Sequence, residues 1–493
     1  MWRAGGNCSV TLDLLPFAGI LAALASRRVS VWQAALAGLI LSLPAFWFAA
    51  PDAQTAMARM AGAAMHGLWL SWLALSVILS GLLFHQVVSR ARAGPAPTPE
   101  AASPERRYRV LFALCFLVGP FFESVTGFGV GLVVTLPLLL RLGITPVGAI
   151  VLGLYSQMLV PWGGMAVGTT VGAALAELPL HTLGLASALL TVPLLGGYLW
   201  LFWRLAAAEG LHPNANQRLD DLLWIAALGG LLVLCNDAVA VPIAGLLATG
   251  LLLVPRHWRD QRPNLTQWRA AAHSARPYLL VTGLLLVTHT LPPLRHTLKH
   301  LWVWQPAPGW PAFPPFYEVS FWLAVTALGY GLATRLDAVH WRALVADAGR
   351  MAWPPARTTV LFVVMAQLMS DGGIAGRLAA GWHAAAGNAA LYAAPLLGGL
   401  AGLLTASNTA ANALLMPLQT ALAGGDPRLL TWLAAVQNLA GSNLTALSPI
   451  RIEMAVALAG LAGGTAHVYS RAWPLGALAL LLLTAMLAVL VLG

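Results

Sequence analysis

Charged side chains are scarce in this chain of 493 residues, because only 9% are Asp, Glu, Lys or Arg whereas 59% are hydrophobic. A soluble domain of this composition would lack the charged surface that water solvates, so that class is excluded. Many apolar stretches of bilayer length follow one another along the chain. The sequence therefore predicts an all-α membrane protein with about 12–14 membrane-crossing segments.

Cysteine and lysine are also rare. Cys8, Cys115 and Cys235 are too far apart for a disulfide framework or a metal-binding motif, and we expect neither a metal nor a cofactor. Lysine occurs once, at Lys299, so the formal net charge of +10 comes almost entirely from arginine. Because the arginines cluster between apolar stretches, we interpret them as cytoplasmic loops rather than as a nucleic-acid surface.

The arginine clusters predict an orientation. Only Arg3 precedes the first apolar stretch, residues 12–25, whereas Arg27 and Arg28 follow it. This order is opposite to that of a cleaved signal peptide, so we expect a retained first helix and an N-terminus outside the cell. The C-terminus is then also expected outside, and the protein is expected in the cell (inner or plasma) membrane.

Three basic segments are predicted to be cytoplasmic: residues 89–109, 255–277 and 335–357. The first is rich in proline, alanine and serine, which indicates a flexible loop. The third has the composition of an amphipathic helix lying along the membrane surface.

The same order of apolar stretches and polar breaks occurs twice. We predict one copy in residues 1–207, a second in residues 278–493, and a connecting pair of membrane segments with a basic loop in residues 208–277. The first helix of the first copy precedes a basic loop, whereas that of the second follows one, so the copies are expected to be inverted. Inverted repeats with interrupted helices and half-helix hairpins are typical of secondary transporters.

Four polar or glycine-rich breaks interrupt the apolar stretches, at residues 121–129, 161–164, 406–412 and 441–449. Hydroxyls, amides and the N-terminal ends of half-helices suit a small polar anion. Alternatively, these side chains only satisfy backbone groups where the helices are interrupted. The predicted substrate-binding residues are Ser124, Thr126, Gly127, Gly129, Gln157, Ser407, Asn408, Thr409, Asn412, Asn438, Ser442, Asn443, Thr445, Ser448 and Arg451.

Two acids and one arginine lie in or beside these and similar breaks. A carboxylate at membrane depth costs roughly 2.5–3.5 kcal/mol, so Glu123 is predicted to carry a proton, or to be the fixed partner of a buried cation. Asp371 either shares the proton-coupling role or is a loop or cap acid. Arg451 either holds a substrate carboxylate through a bidentate contact, pairs with Glu453 or reaches the membrane interface.

Several motifs resemble those of one known family. FFESVTGFGVG at residues 121–131 resembles F-x-E-G-x-A-G-F-G-x-P, and NLAGSNLTALSP at 438–449 resembles N-x-x-G-G-x-x-G-K-M-I-S-P. The most specific motif, LLTASNTAANALLMPLQ at residues 403–419, resembles G-S-D-T-S-S-N-A-L-F-x-x-L-Q. The family is that of the L-lactate permeases, and the resemblance follows nearly the whole chain in order.

This resemblance implies a proton-coupled symporter of L-lactate or a related 2-hydroxy monocarboxylate such as glycolate. Its partners would be the small organic anion, a proton and the lipid bilayer. The chain departs from the family at Asn408, where the motif has an acid, and at Thr445, where it has a lysine that Arg451 could replace. A divergent member is therefore expected, and another organic anion or a different coupling stays open.

A membrane-embedded enzyme is the main alternative class. It would need a nucleophile with its base, a metal cluster or an acidic diphosphate-binding motif, and the sequence contains none of these patterns. A channel fits paired interrupted helices and a buried acid less well than alternating access does. A transporter rather than an enzyme is predicted.

Overall fold

A computed structural model describes residues 6–26, 28–91, 103–461 and 463–492. Within these ranges the chain is helical, and its one β feature is an isolated bridge between Trp304 and Phe313. The predicted all-α class is therefore confirmed. Arg3, Arg27 and part of the predicted loop 89–109, residues 92–102, lie outside the described residues.

The described residues up to 208 form nine α-helices, several of which start at a capping side chain. Thr145, for example, accepts a hydrogen bond from the backbone N–H of Gly148 at 3.2 Å. A π-helical turn (Leu114–Val118) joins the fourth helix to the fifth, and two 3₁₀ turns (Leu154–Gln157 and Val160–Trp162) precede the eighth. In order, the helices are α1 (Gly6–Ala25), α2 (Val31–Ala49), α3 (Ala53–Ala91), α4 (Pro104–Ala113), α5 (Gly119–Thr126), α6 (Val130–Arg141), α7 (Pro146–Gly153), α8 (Gly163–Leu175) and α9 (Leu180–Ala208).

Five helices form the middle of the chain. Asn214 and Asn264 each begin one of them through a reciprocal capping box with a glutamine three residues later. These helices are α10 (Ala215–Ala238), α11 (Val241–Gln261), α12 (Leu265–Thr290), α13 (Pro292–His300) and α14 (Val319–Ala333).

Seven further helices complete the bundle. A 3₁₀ segment (Gly387–Ala393) separates the second from the third of them. They are α15 (Ala338–Asp371), α16 (Ile374–Ala386), α17 (Ala394–Thr405), α18 (Asn408–Leu422), α19 (Pro427–Thr445), α20 (Pro449–Leu458) and α21 (Thr465–Leu492).

Among the described residues, nine helices are long and apolar enough to cross a membrane, and the bent pair of α7 and α8 would be a tenth. Three shorter apolar helices, Leu12–Leu24, Val130–Arg141 and Val319–Ala333, add to these. The prediction of a polytopic membrane protein is confirmed, and short helices account for the larger number of predicted segments.

Contacts between helix connections define the two ends of the bundle. Glu209, after α9, accepts a hydrogen bond from the backbone N–H of Thr145 at 2.8 Å and lies 3.9 Å from Arg471 near the start of α21. At the opposite end of α9, His181 contacts Asp237 at 3.3 Å. We call these two ends the Glu209 end and the His181 end.

The helices from α4 to α6 form a hairpin that turns back inside the bundle. The Arg107 guanidinium donates a hydrogen bond to the carbonyl of Leu142 at 3.0 Å, so the start of α4 and the end of α6 lie together. Leu142 is three residues from Thr145, which places both ends of the hairpin at the Glu209 end. The turn at residues 127–129 therefore lies within the bundle, as expected for a half-helix element.

Two predicted boundaries are wrong. Residues 335–357 do not form a separate surface helix, because α15 continues through Pro354 and Pro355 to Asp371 and packs along α3. The predicted break at 441–449 is shorter, since α19 continues to Thr445. The Ser442 hydroxyl and the Asn443 amide bond to the carbonyl of Leu439 at 2.9 and 2.8 Å, so these polar side chains accompany the helix instead of interrupting it.

Candidate functional site

A cavity of about 500 Å³ lies where two interrupted helix pairs, α5–α6 and α17–α18, approach each other. Side chains of α2, α8, α15 and α20 complete its wall. Three charged residues line it: Glu123, Arg357 and Arg451. The cavity extends toward the Glu209 end, because α20 directly precedes the start of α21.

Glu123 closes the first interruption. Gly127, Phe128 and Gly129 have φ angles of 70°, 57° and 84°, which ends α5 and lets α6 begin in a new direction. The backbone N–H groups of Gly129 and Gly131 donate to the two carboxylate oxygens of Glu123 at 3.1 and 3.0 Å. The carboxyl of Glu123, 1% exposed, therefore lies against the N-terminus of α6, where the helix dipole favours negative charge.

Arg451, at the start of α20, faces this carboxylate. Its Nη1 lies 3.8 Å from Oε1 of Glu123 and also donates to the side-chain oxygen of Gln157. A side chain at Gly129 would crowd this guanidinium, since an added Cβ would lie 3.0 Å from Nη1. Arg451 thus joins the first helix interruption to the second half of the chain.

The second interruption is neutral. Ala406 has a φ of 56°, and the Ser407 hydroxyl then caps α18 by accepting from the N–H of Ala410 at 3.3 Å. Asn408 and Asn412 both donate through Nδ2 to Oδ1 of Asn438 at 2.9 Å. Where the first interruption has a carboxylate, the second has a network of amides.

Asn438 anchors that network from α19. Its Nδ2 donates to the hydroxyls of Thr169 and Ser187 at 3.0 and 3.1 Å, so both polar atoms of its side chain have hydrogen-bond partners. The Oδ1 atoms of Asn408 and Asn412 are buried and accept no hydrogen bond from the described residues. Only Asn408 of these two lines the cavity, and its Oδ1 lies beside Gly441 of α19.

The structure brings together about half of the predicted site residues. Those that line the cavity are Glu123, Gly127, Ser407, Asn408, Thr409 and Arg451. Those that contact this lining directly are Gly129, Gln157, Asn412 and Asn438. The remainder lie apart from it.

Most of the remaining predicted residues bond within their own helices. The Thr126 hydroxyl donates to the carbonyl of Phe122 at 2.7 Å, the Thr445 hydroxyl to that of Ser442 at 2.6 Å, and Ser448 caps α20. Hydroxyls used in this way satisfy local backbone groups.

Three predicted residues lie elsewhere. Asn443 accepts a hydrogen bond from the Tyr198 hydroxyl at 2.6 Å and, with Gln157, lines a separate narrow cavity of about 20 Å³. The Ser124 hydroxyl is buried without a partner among the described residues, beside α11. Asp371 ends α15 outside the cavity lining and accepts from Gln367 at 2.9 Å.

Sequence reasoning missed Arg357 and Trp32. Both line the cavity, and the guanidinium carbon of Arg357 lies 4.6 Å from the centre of the Trp32 ring. Arg357 was predicted to be the last residue of a basic cytoplasmic segment. A signal was present, because Arg357 lies between two prolines, at 354 and 355, and an apolar stretch that begins three residues after it, residues 360–366.

A second cavity of about 260 Å³ lies on the other side of α8. Its lining includes Leu178 and Leu180, around the start of α9, so it extends toward the His181 end. Val167 of α8 lines both cavities. Just before it, Gly164, Met165 and Ala166 adopt left-handed φ angles of 54°, 57° and 59°.

A polytopic helical bundle with two interrupted helix pairs around a charged cavity has the architecture of a membrane transporter. Residues 312–492 match the family model of L-lactate permease, which agrees with the resemblance predicted from the motifs, and this region includes Arg357, Asn408 and Arg451. No curated protein matches the chain significantly. Members of this family are transporters rather than enzymes, which fits the predicted class.

Proposed function

We propose that this protein transports a small monocarboxylate, L-lactate or a related 2-hydroxy acid such as glycolate, by proton symport. The observation that carries the proposal is the contact of Glu123 with Arg451 in the wall of the cavity between the two interruptions. Glu123 is a buried carboxylate that can accept a proton, and its protonation would free Arg451 from the ion pair. Family membership supplies the substrate class.

Coupling follows from the charges of the cavity wall. With Glu123 ionised, the cavity wall carries one carboxylate and two guanidinium groups, those of Arg357 and Arg451. A proton on a carboxylate oxygen of Glu123 removes its charge and weakens its attraction for Arg451. The charge of the wall then rises from +1 to +2, which strengthens its attraction for a monocarboxylate anion. Proton and anion binding therefore favour each other.

Selection of a 2-hydroxy acid is supported by Asn408. Asn408 lines the cavity, and its Oδ1 is buried beside Gly441 and accepts no hydrogen bond within the described residues, whereas its Nδ2 is held by Asn438. In this proposal the amide turns toward the bound anion, and a hydroxyl beside the substrate carboxylate donates to this oxygen. An acid without the hydroxyl leaves the acceptor unpaired, which costs binding free energy.

Alternating access is supported by the two cavities that share Val167. They extend toward opposite ends of the bundle, and α8 separates them at a left-handed turn that stores backbone strain. The present arrangement, with the larger cavity toward the Glu209 end, is one of the two states in this proposal. A movement of α8 would connect the site to the His181 end.

The two-copy organisation belongs to the same proposal. The order of a helix, an interruption, a short helix, two further helices and a long last helix occurs from α5 to α9 and again from α17 to α21. We assign the first inverted repeat to residues 1–207, the connection to 208–277 and the second repeat to 278–493. The expected location is the cell (inner or plasma) membrane with both termini outside.

Uptake of labelled L-lactate and glycolate into proteoliposomes tests the function. We expect an inward proton gradient to drive uptake by the wild type, and Glu123→Gln to abolish gradient-driven uptake while keeping lactate exchange across the membrane. Glu123→Asp, which keeps a titratable carboxyl, should retain part of the gradient response. Glu105→Gln is the matched control, because Glu105 is exposed in the same hairpin.

Wild-type uptake that does not depend on the proton gradient would refute symport. Gradient-driven uptake by Glu123→Gln would refute the role of Glu123.

A second candidate, transport of another organic anion with different coupling, is favoured by the neutral Asn408 and Thr445 at positions where the family motifs carry charge. A reconstituted wild type that moves neither acid but is stabilised by another carboxylate would establish it.

A further inference from the structure

Arg357 is a cation that has no counter-charge among the residues that the structure describes. It lies in α15 with its side chain in the cavity wall, and its Nε is buried without a hydrogen-bond partner among the described residues. No carboxylate within those residues lies within ion-pair distance of its guanidinium. A charged group at membrane depth without a partner is costly, so it is retained where function requires it.

Three other arginines of the bundle, of which Arg256 and Arg451 are buried, differ from it. Arg256 pairs with Asp260 at 2.6 Å and Asp220 at 3.5 Å, and Arg377 pairs with Asp13 at 2.7 Å. Arg451 has Glu123 and Gln157. These three arginines thus face a carboxylate, whereas Arg357 in the cavity wall faces none among the described residues, which makes it the position for an anionic ligand.

Trp32 holds the Arg357 guanidinium in a position in which a ligand can bind to it. The Arg357 guanidinium carbon lies 4.6 Å from the centre of the Trp32 ring, a cation–π contact that holds the group in place. Contact with the face of a ring leaves the N–H groups at the edge of the guanidinium free. Such a planar edge matches the two oxygens of a carboxylate.

We infer that Arg357, positioned by Trp32, binds the carboxylate of the transported anion, and that Arg451 is instead the ion-pair partner of Glu123. This inference rests on the proposed function and assigns its carboxylate-binding residue. It also replaces the prediction that Arg451 holds the substrate, because Arg451 already faces a carboxylate of the protein. The ligand class is a small monocarboxylate whose hydroxyl reaches Asn408.

Thermal unfolding of the purified full-length protein in detergent, with increasing sodium L-lactate, tests the assignment. We expect Arg357→Gln to raise the half-saturating lactate concentration about tenfold to a hundredfold, as for the loss of charge-assisted hydrogen bonds. Arg357→Lys should give an intermediate shift. Arg350→Gln is the matched control, because Arg350 lies on the same helix but is exposed and pairs with Asp347.

A second readout separates binding from a structural role. Without lactate, Arg357→Gln should unfold at the same temperature as the wild type or higher, because it removes an unpaired charge. A clear decrease in Tm, together with unchanged lactate dependence, would show that Arg357 is structural. Neutral lactamide should stabilise neither protein.

The possible outcomes distinguish the two proposals. Equal stabilisation of wild type and Arg357→Gln by lactate would overturn the assignment of Arg357 and leave the transport of monocarboxylates intact. A wild type that neither lactate nor glycolate stabilises, and that takes up neither acid in proteoliposomes, would contradict the proposed function and this assignment with it.

Discussion

The two helix interruptions differ in charge although they occupy corresponding places in the chain. The α5–α6 interruption carries Glu123, held by two backbone N–H groups and faced by Arg451. The α17–α18 interruption carries Asn408 and Asn412, held by Asn438. One interruption can change its charge by taking a proton and the other cannot, which suggests that coupling and substrate selection are divided between the halves.

The largest expected effect comes from removing Arg451, the cation that pairs with Glu123 in the charged interruption. Arg451→Gln leaves the buried carboxylate of Glu123 without its ion-pair partner, which typically costs about 3–5 kcal/mol in free energy of unfolding. We expect a strong decrease in Tm in detergent. The double variant Glu123→Gln/Arg451→Gln should be more stable than Arg451→Gln alone, and strictly additive losses would contradict the pairing.

An intermediate effect should follow from placing an acid in the neutral interruption. Asn408→Asp loses the Nδ2–H donor to Asn438, and only a protonated carboxyl can restore that hydrogen bond. We expect about 1–3 kcal/mol of destabilisation above neutral pH, a range typical of a buried group left unsatisfied, and relatively better uptake in acid. Uptake with the same pH profile as the wild type would show that residue 408 is remote from the transported charge.

The smallest effect is expected at polar residues whose side chains form hydrogen bonds only within their own helix. Ser442→Ala removes a hydroxyl that bonds to the carbonyl of Leu439 within α19. The expected change in stability is about 0.5 kcal/mol or less, with unchanged KM for lactate uptake. A large rise in KM would bring Ser442 back into the site and weaken the distinction between helix-bound hydroxyls and the cavity lining.

Sequence reasoning located the charged interruption well and the neutral one partly. An acid between apolar stretches, followed by Gly127 and Gly129, predicts an interrupted helix, and the structure has one there. Asn438 and Ser442 belong to one polar cluster in the sequence, yet the first holds the amide network and the second bonds within its helix. Composition cannot separate these two uses of a polar side chain, because both place it among apolar neighbours.

Arg357 is a residue of the cavity wall that the sequence did not predict. Its neighbours in the sequence are basic and proline-rich, a pattern typical of a loop, so the prediction placed it at the membrane surface. In the structure α15 continues through both prolines and brings Arg357 beside Trp32, from a helix more than three hundred residues earlier in the chain. Such a neighbour is invisible to any local pattern.

The sequence by itself determined the all-α membrane class, the interruption after Glu123 and the resemblance to L-lactate permeases, because hydropathy and short motifs are local properties. The tertiary structure alone decided that Arg451 contacts Glu123, that Arg357 has no counter-charge in the described part of the chain, and that two cavities meet at Val167. Ion pairs and cavities depend on distances between helices far apart in the chain, and only packing sets those distances.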